Sequence, residues 1–285
     1  MTDTTIYDTD VENEWCPGCG NFNILKTLKE TLAELDLKPH EIILVSGIGQ
    51  AAKQPHYVKA NVLNGLHGRA LPIAIGAKIA NHKLKVIVTS GDGDLYGEGG
   101  NHLIHNIRRN ADITVIAHDN QVYGLTKGQA SPTSDIGFKS KVQVDGVIAA
   151  PINQLGLAVT LGANFVARSF SGDTEHLKEM MKLAINKKGF SLLDVLQPCV
   201  SFNKTNTYKW YKDRVYKIGK EHDARDKVRA FEKTQEWGDK IPIGVIFEGD
   251  RPTFTEQLIT LRSSPLIEKS VDMEEVKRIL ESYTK

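Results

Sequence analysis

The 285-residue sequence predicts an α/β fold: an open, doubly wound, parallel sheet with a charged C-terminal extension. Apolar runs of strand length, among them Val86 to Thr89, Ile113 to Ala117 and Ser191 to Leu196, alternate with segments of helical periodicity. Several of these runs end in loops rich in glycine and acids, which is where parallel sheets bind their ligands. The length suits one large α/β domain, residues 1–200, followed by an extension, residues 201–285.

Hydrophobic residues make up 40% of the chain, enough for a substantial core. Lys and Arg number 36 against 35 Asp and Glu, and the pI is near 7.7, so no charge excess points to nucleic acid or a membrane surface. No apolar run reaches the roughly 20 residues that span a bilayer. The opening MTDTTIYDTD lacks the basic and apolar pattern of a secretory signal, which predicts a cytoplasmic protein.

Residues 1–14 are polar and acidic, a composition that predicts an extended segment. Trp15-Cys16-Pro17-Gly18-Cys19-Gly20 follows as a tight turn pointing two thiols one way, and Asn21 is placed to cap the next helix. In that helix Leu25, Leu28, Leu32 and Leu35 form one buried stripe. Ile42 to Val45 reads as the first buried strand, ending in Ser46-Gly47-Ile48-Gly49. After a loop, Leu66-His67-Gly68-Arg69 leads into an alanine-rich helix over 70–80, with Pro72 tolerated in its first turn. A helix start offers free amide hydrogens to a phosphate, and His67 and Arg69 would add donors. A surface arginine beside a capping histidine fits the same string equally well.

The stretch from Val86 to Gly128 reads strand, glycine loop, helix, strand. The loop Gly91-Asp92-Gly93-Asp94 lets a backbone approach a phosphate, but Asp92 would repel it unless a cation lies between. Mg²⁺ takes oxygen ligands and joins one or two protein groups to substrate phosphates, so Asp92, the amide oxygen of Asn120 and the carbonyl of Val122 would suit it. A dinucleotide fingerprint is excluded by spacing, since the third glycine, Gly97, comes one residue late. A simple turn remains the other reading of the loop. His102 and His105 lie three apart without a third ligand and read as ordinary helical histidines. From Gln121 to Ala150 the chain is a long polar loop, in which Lys127 is placed to meet a carboxylate or a diphosphate oxygen. The alternation resumes with a helix over 152–161, a strand over 165–167, a helix over 174–186 and the strand 191–196. Residues 201–240 are charged with interspersed aromatics, an arm suited to a partner surface or to covering its own domain, and Ile241 to Phe247 adds a strand.

Gly91-Asp92-Gly93 followed by Asn120 resembles the magnesium and diphosphate motif of thiamine diphosphate enzymes. WCPGCG from Trp15, SGIG from Ser46, LHGRA from Leu66 and DNQVYGLTKGQASPTS from Asp119 together resemble the beta subunit of 2-oxoacid:ferredoxin oxidoreductases over about the first two hundred residues. The resemblance implies a sheet of the thiamine diphosphate-binding type, with Gly47, Ile48, His67, Arg69, Asp94, Gly124 and Leu125 at the cofactor. It also implies substrate contacts for Lys127 and Lys53, and catalytic roles for Lys127 and His67. A lysine such as Lys53 in a polar loop is otherwise simply solvated.

Three cysteines occur: Cys16, Cys19 and Cys199. A [4Fe-4S] cluster, zinc and unmetallated thiols are the three candidate states, and the resemblance favours the cluster. Family members carry a cysteine directly after SGIG, where this chain has Gln50. One parallel sheet leaves no second domain for the aminopyrimidine half of the cofactor, so an alpha subunit is expected to supply it. The function expected is CoA-dependent oxidative decarboxylation of a 2-oxoacid, 2-oxoglutarate being favoured on family likeness, with electrons passed to ferredoxin. The alternatives are a subunit of a non-oxidative thiamine diphosphate-dependent decarboxylase, in which the cysteines are structural, and a non-catalytic nucleotide- or metal-binding module.

Overall fold

The computed structural model describes residues 3–284. Ten strands are present: β1 (Ile42–Ser46), β2 (Asn61–Asn64), β3 (Lys85–Gly91), β4 (Thr114–Asp119), β5 (Val122–Tyr123), β6 (Gln129–Ala130), β7 (Phe165–Phe170), β8 (Ser191–Leu196), β9 (Val215–Lys217) and β10 (Ile241–Glu248). Eight of them form one sheet in the order β2-β1-β3-β4-β8-β7-β10-β9, while β5 and β6 make a separate hairpin. The pairs from β2 through β7 are parallel, and β10 joins β7 antiparallel.

The helices are α1 (Gly20–Glu34), α2 (Ala70–Ala80), α3 (Gly100–Arg109), α4 (Gln154–Leu161), α5 (Thr174–Asn186), α6 (Tyr208–Lys212), α7 (Lys227–Thr234), α8 (Phe254–Gln257) and α9 (Met273–Ser282). Strands covered on both faces need apolar residues throughout, and β1, β4, β7 and β8 are buried at every position. Side chains still alternate between faces. Ile43 and Val45 of β1 pack with Leu71 of α2, Leu103 of α3 and Leu155 of α4, whereas Ile42 and Leu44 pack with Leu28 of α1 and Leu177 of α5. Truncating fully buried Leu28 or Leu32 to alanine would cost about 2–5 kcal/mol.

The expected strands and helices are present, with α2 and α5 at the expected bounds. Asn21 is not the cap of α1. Cys19 holds that position, and Asn21 is buried with its Oδ1 2.8 Å from Nδ1 of His118. The edge strand β2 escaped the sequence because all four of its residues, NVLN, are exposed, so nothing in its pattern records burial. Residues 201–248 fold back on the sheet: Tyr211, Ile241 and Ile243 bury a small core with Phe170 and Leu196, and Trp210 and Trp237 pack against it. Of the two expectations for this arm, covering its own domain is what these aromatics do. By contrast α9 buries no residue, and Met273, Ile279 and Leu280 on it are exposed. Among the described residues no helix is long and apolar enough to cross a membrane.

Candidate active site at the carboxyl ends of β1, β3 and β4

Because β1, β3 and β4 are neighbours and parallel, the loops after them open on one sheet edge. Gly91 pairs with His118 in register, so Asp92 and Asn120, each just beyond, come together there. A cleft of about 80 Å³ opens between them, lined also by Ile48, Gly91, Gly93 and Asp94. His67, Val122, Gly124 and Leu125 complete the predicted residues that reach it.

Asp92 is 2% exposed and starts a π-helical turn over Gly93–Glu98. Its Oδ2 accepts hydrogen bonds from the hydroxyls of Ser131 (2.5 Å) and Thr133 (2.6 Å), and no side-chain donor reaches Oδ1 among the described residues. Burial pushes its carboxyl up to about 6, against the pull of those two hydroxyls. Behind it lie buried Asp119 and Asp194. Asp119 Oδ1 is 2.9 Å from the same Thr133 hydroxyl, and burial with its two acidic neighbours raises its carboxyl well above the ordinary range. One hydroxyl proton cannot serve two carboxylates. The two carboxyls share that hydroxyl, and burial disfavours charge on both. Asp194 is balanced separately by Arg168 Nε at 3.2 Å and by the Tyr96 hydroxyl at 3.0 Å.

Asn120 Oδ1 accepts from the Val122 amide at 3.0 Å, folding the chain back in a side-chain turn, and its Nδ2 donates to Gln197 at 3.2 Å. An amide oxygen has two lone pairs, so one remains for a cation.

Asp94 behaves differently from the expectation of a cofactor contact. Its Oδ1 accepts from the amides of Ile48 (3.0 Å) and Gly68 (2.7 Å) and lies 2.6 Å from His67 Nδ1, while Oδ2 accepts from Ser90 at 2.6 Å. Buried and fully engaged, Asp94 ties the loops after β1 and before α2 to β3. Gly47 is glycine for this reason: a Cβ there would collide with the Asp94 carboxylate. Gly93 is held by the Tyr123 ring in the same way, whereas a Cβ on Gly91 would meet only Ala51 at 3.9 Å. The protein's own packing thus does not demand glycine at 91.

His67 remains 40% exposed between Asp94 and Glu98, at the cleft wall. Arg69 does not line the cleft. It is exposed, with Nη1 3.3 Å from Nε2 of His102. Lys53 is engaged elsewhere too, its Nζ 2.7 Å from Glu14 Oε2. Lys127 is exposed at the hairpin beyond Thr126 in a left-handed conformation, φ 75°. That backbone is uncommon for a non-glycine residue and marks a loop held in a specific shape.

A second cavity adjoins the first and shares Gln50, Asn120 and Gly124 with it. Cys16, Cys19 and Cys199 all line it, so the turn before α1 and the segment after β8 bring the three thiols together. Cys199 is buried and Cys16 exposed. Burial, with the other two thiols, pushes the Cys19 thiol up to about 11. Among the described residues no three His, Cys, Asp or Glu side chains are placed to hold one metal ion. Sequence reasoning missed Ser131, Thr133 and Asp119 as the residues that set Asp92. Their only signal was hydroxyls in the SPTS string, whose target the sequence does not name.

Residues 45–195 match the family model described as thiamine pyrophosphate enzyme, C-terminal TPP binding domain, and residues 199–263 match the model for the C-terminal part of the pyruvate ferredoxin oxidoreductase beta chain. A 2-oxoacid:ferredoxin oxidoreductase beta subunit from Aeropyrum pernix is 43% identical over 284 residues, covering 95% of this chain and 89% of that one. One from Saccharolobus solfataricus is 46% identical over 264 residues, with 88% and 87% covered. The solved 2-oxoglutarate:ferredoxin oxidoreductase from Magnetococcus marinus, with 2-oxoglutarate, coenzyme A and succinyl-CoA bound, superposes with a TM-score of 0.91 at 34% identity, covering 97% of this chain and 95% of that one. Order of motifs, strand-end geometry and these likenesses agree: the chain belongs to the beta subunits of the 2-oxoacid:ferredoxin oxidoreductases.

Proposed function

We propose that this subunit, with an alpha subunit, binds thiamine diphosphate through Mg²⁺ and carries out CoA-dependent oxidative decarboxylation of a 2-oxoacid, 2-oxoglutarate first among candidates, passing electrons to ferredoxin. The observation that carries the reading is Asp92 and Asn120 at the ends of adjacent parallel strands, in one cleft with Gly91. Asp92 Oδ1, Asn120 Oδ1 and the Val122 carbonyl would hold Mg²⁺, an oxygen set of the kind that ion prefers. When bound, the cofactor supplies the nucleophilic carbon and electron sink that decarboxylation requires. Gly91 admits the diphosphate to the backbone, Ile48, Gly124 and Leu125 wall it in, and Gly47 leaves room for the Asp94 carboxylate. Lys127 would receive the substrate carboxylate from the rim, and His67, tied to Asp94, would hold a proton or a donor at the cleft wall. Arg69 would act through His102, and Lys53 through its pair with Glu14, each only by positioning a loop.

The cleft's roughly 80 Å³ is far below the several hundred Å³ that enclose a molecule of cofactor size, which supports a partner chain closing the site. Ile48 and Leu125 are exposed apolar residues at that rim, and α9 offers another apolar face to the alpha subunit. The substrate preference rests on the 2-oxoglutarate in the Magnetococcus enzyme. The test is titration of thiamine diphosphate into the co-expressed complex with and without Mg²⁺, followed by 2-oxoacid-dependent reduction of ferredoxin. Binding should require the metal, and turnover should require CoA. Equal binding without a divalent ion overturns the metal bridge, and CO2 release without an electron acceptor would favour the non-oxidative reading.

A further inference from the structure

Asn120 is the one proposed metal ligand whose side chain has a right and a wrong way round. Its amide carries an oxygen that can bind a cation and a nitrogen that cannot, on two arms of nearly equal size. What fixes the choice comes from the end of β8. Asp119 pairs with Leu196 in register and its carbonyl accepts from the Gln197 amide at 2.8 Å, so Asn120 and Gln197 leave the sheet side by side. Gln197 is 1% exposed, and its Oε1 accepts from Asn120 Nδ2 at 3.2 Å.

Gln197 is itself held one way round. Its Nε2 donates to the Pro198 carbonyl at 2.9 Å and to Cys19 Sγ at 3.5 Å. A backbone carbonyl only accepts, so it takes the nitrogen of Gln197 and sends the oxygen toward Asn120. Asn120 answers with its own nitrogen, which turns its Oδ1 to the Val122 amide and leaves one lone pair for a cation. Room for the Gln197 side chain is made at the start of α1: a Cβ on Gly20 would lie 2.7 Å from Gln197 Cγ and 3.2 Å from its Nε2.

Resting on the metal reading above, we propose that Gln197 is a positioning residue for the metal site. It carries the fixed polarity of the Pro198 carbonyl across to Asn120 and so presents the Asn120 oxygen to the ion. Gln197 lines the cysteine cavity and not the cofactor cleft, while Asn120 lines both, so its action on the ion runs through Asn120. The Val122 amide also holds the Asn120 oxygen. Loss of Gln197 therefore removes one of two restraints, and weakens the site without abolishing it.

The experiment uses the co-expressed complex with excess thiamine diphosphate and Mn²⁺ as the probe, an ion suited to the same oxygen ligands, its binding read from loss of the free-ion paramagnetic signal. Gln197→Met keeps the length of the side chain and removes the acceptor. It should weaken Mn²⁺ about tenfold, ~1.4 kcal/mol. Asn120→Asp abolishes the distinction between the two ends, since both are then oxygens, and in that background Gln197→Met should leave Mn²⁺ affinity unchanged or improve it. Gly20→Ala, which displaces Gln197 from the α1 side and suits a helix, is the second probe should Gln197→Met not fold, and it should show the same dependence on Asn120. A loss below twofold, or an equal loss in the two backgrounds, overturns the positioning role and leaves the metal reading standing. So does an Asn120→Asp complex that takes no Mn²⁺, because oxygen at either end should serve. Thiamine diphosphate bound equally well without a divalent ion removes the metal reading and this proposal with it.

Discussion

The two cavities at the carboxyl edge of the sheet share Gln50, Asn120 and Gly124, yet they are built to opposite degrees. In the first, the acids are held by the protein's own donors, apart from Oδ1 of Asp92, which no side-chain donor reaches among the described residues. Asp94 accepts four donors, Asp92 is oriented by two hydroxyls, and Asp119 lies against one of these, Thr133. The second leaves Cys16 exposed and Gln50 Oε1 bare. A buried carboxylate costs stability unless it is hydrogen-bonded, whereas thiols tolerate burial as small hydrophobes. The first cavity is therefore ordered by the protein's own hydrogen bonds, and the second is lined by thiols that need no such partners.

That contrast is tested first at Asp92. Asp92→Ala should weaken Mg²⁺-dependent thiamine diphosphate binding by about 100-fold or more, ~2.7 kcal/mol, by calorimetry on the complex. Its melting temperature without ligand should hold or rise, because an unfavourably buried acid is removed; a fall of several degrees would mean that Asp92 supports the fold. Asp94→Ala should do the reverse, costing about 3 kcal/mol of stability by stranding two buried amides, and thermal unfolding reads it directly. An unchanged melting temperature would break the assignment of Asp94 as the loop tie.

The glycines sharpen the same contrast. Gly93→Ala should cost about 1–3 kcal/mol through the Tyr123 ring. Gly91→Ala, with open space, should stay within about 0.5 kcal/mol in the ligand-free protein and lose cofactor affinity instead. Equal stability losses at both would show that Gly91 serves packing. The smallest effect belongs to Lys53→Ala. Its partner Glu14 is solvent-exposed, so the pair is screened and adds little, and KM for the 2-oxoacid should change less than twofold. A tenfold rise in KM would restore Lys53 to the substrate.

The sequence by itself determined the α/β class, the bounds of α2, α5 and β8, and the meeting of Asp92 with Asn120. These rest on local pattern: apolar runs mark strands, glycine and acids mark their ends, and parallel neighbours align those ends by geometry. It did not reveal β2, whose four exposed residues carry no burial signal, nor the return of Trp210 and Trp237 to their own sheet. It did not distinguish Asp92 from Asp94, two residues apart in one loop, because donors such as Ile48, Gly68, Ser131 and Thr133 arrive from distant parts of the chain. Nor did it show that Arg69 meets His102. Which partner a polar side chain meets is a property of three-dimensional neighbours, and only the tertiary structure decided it.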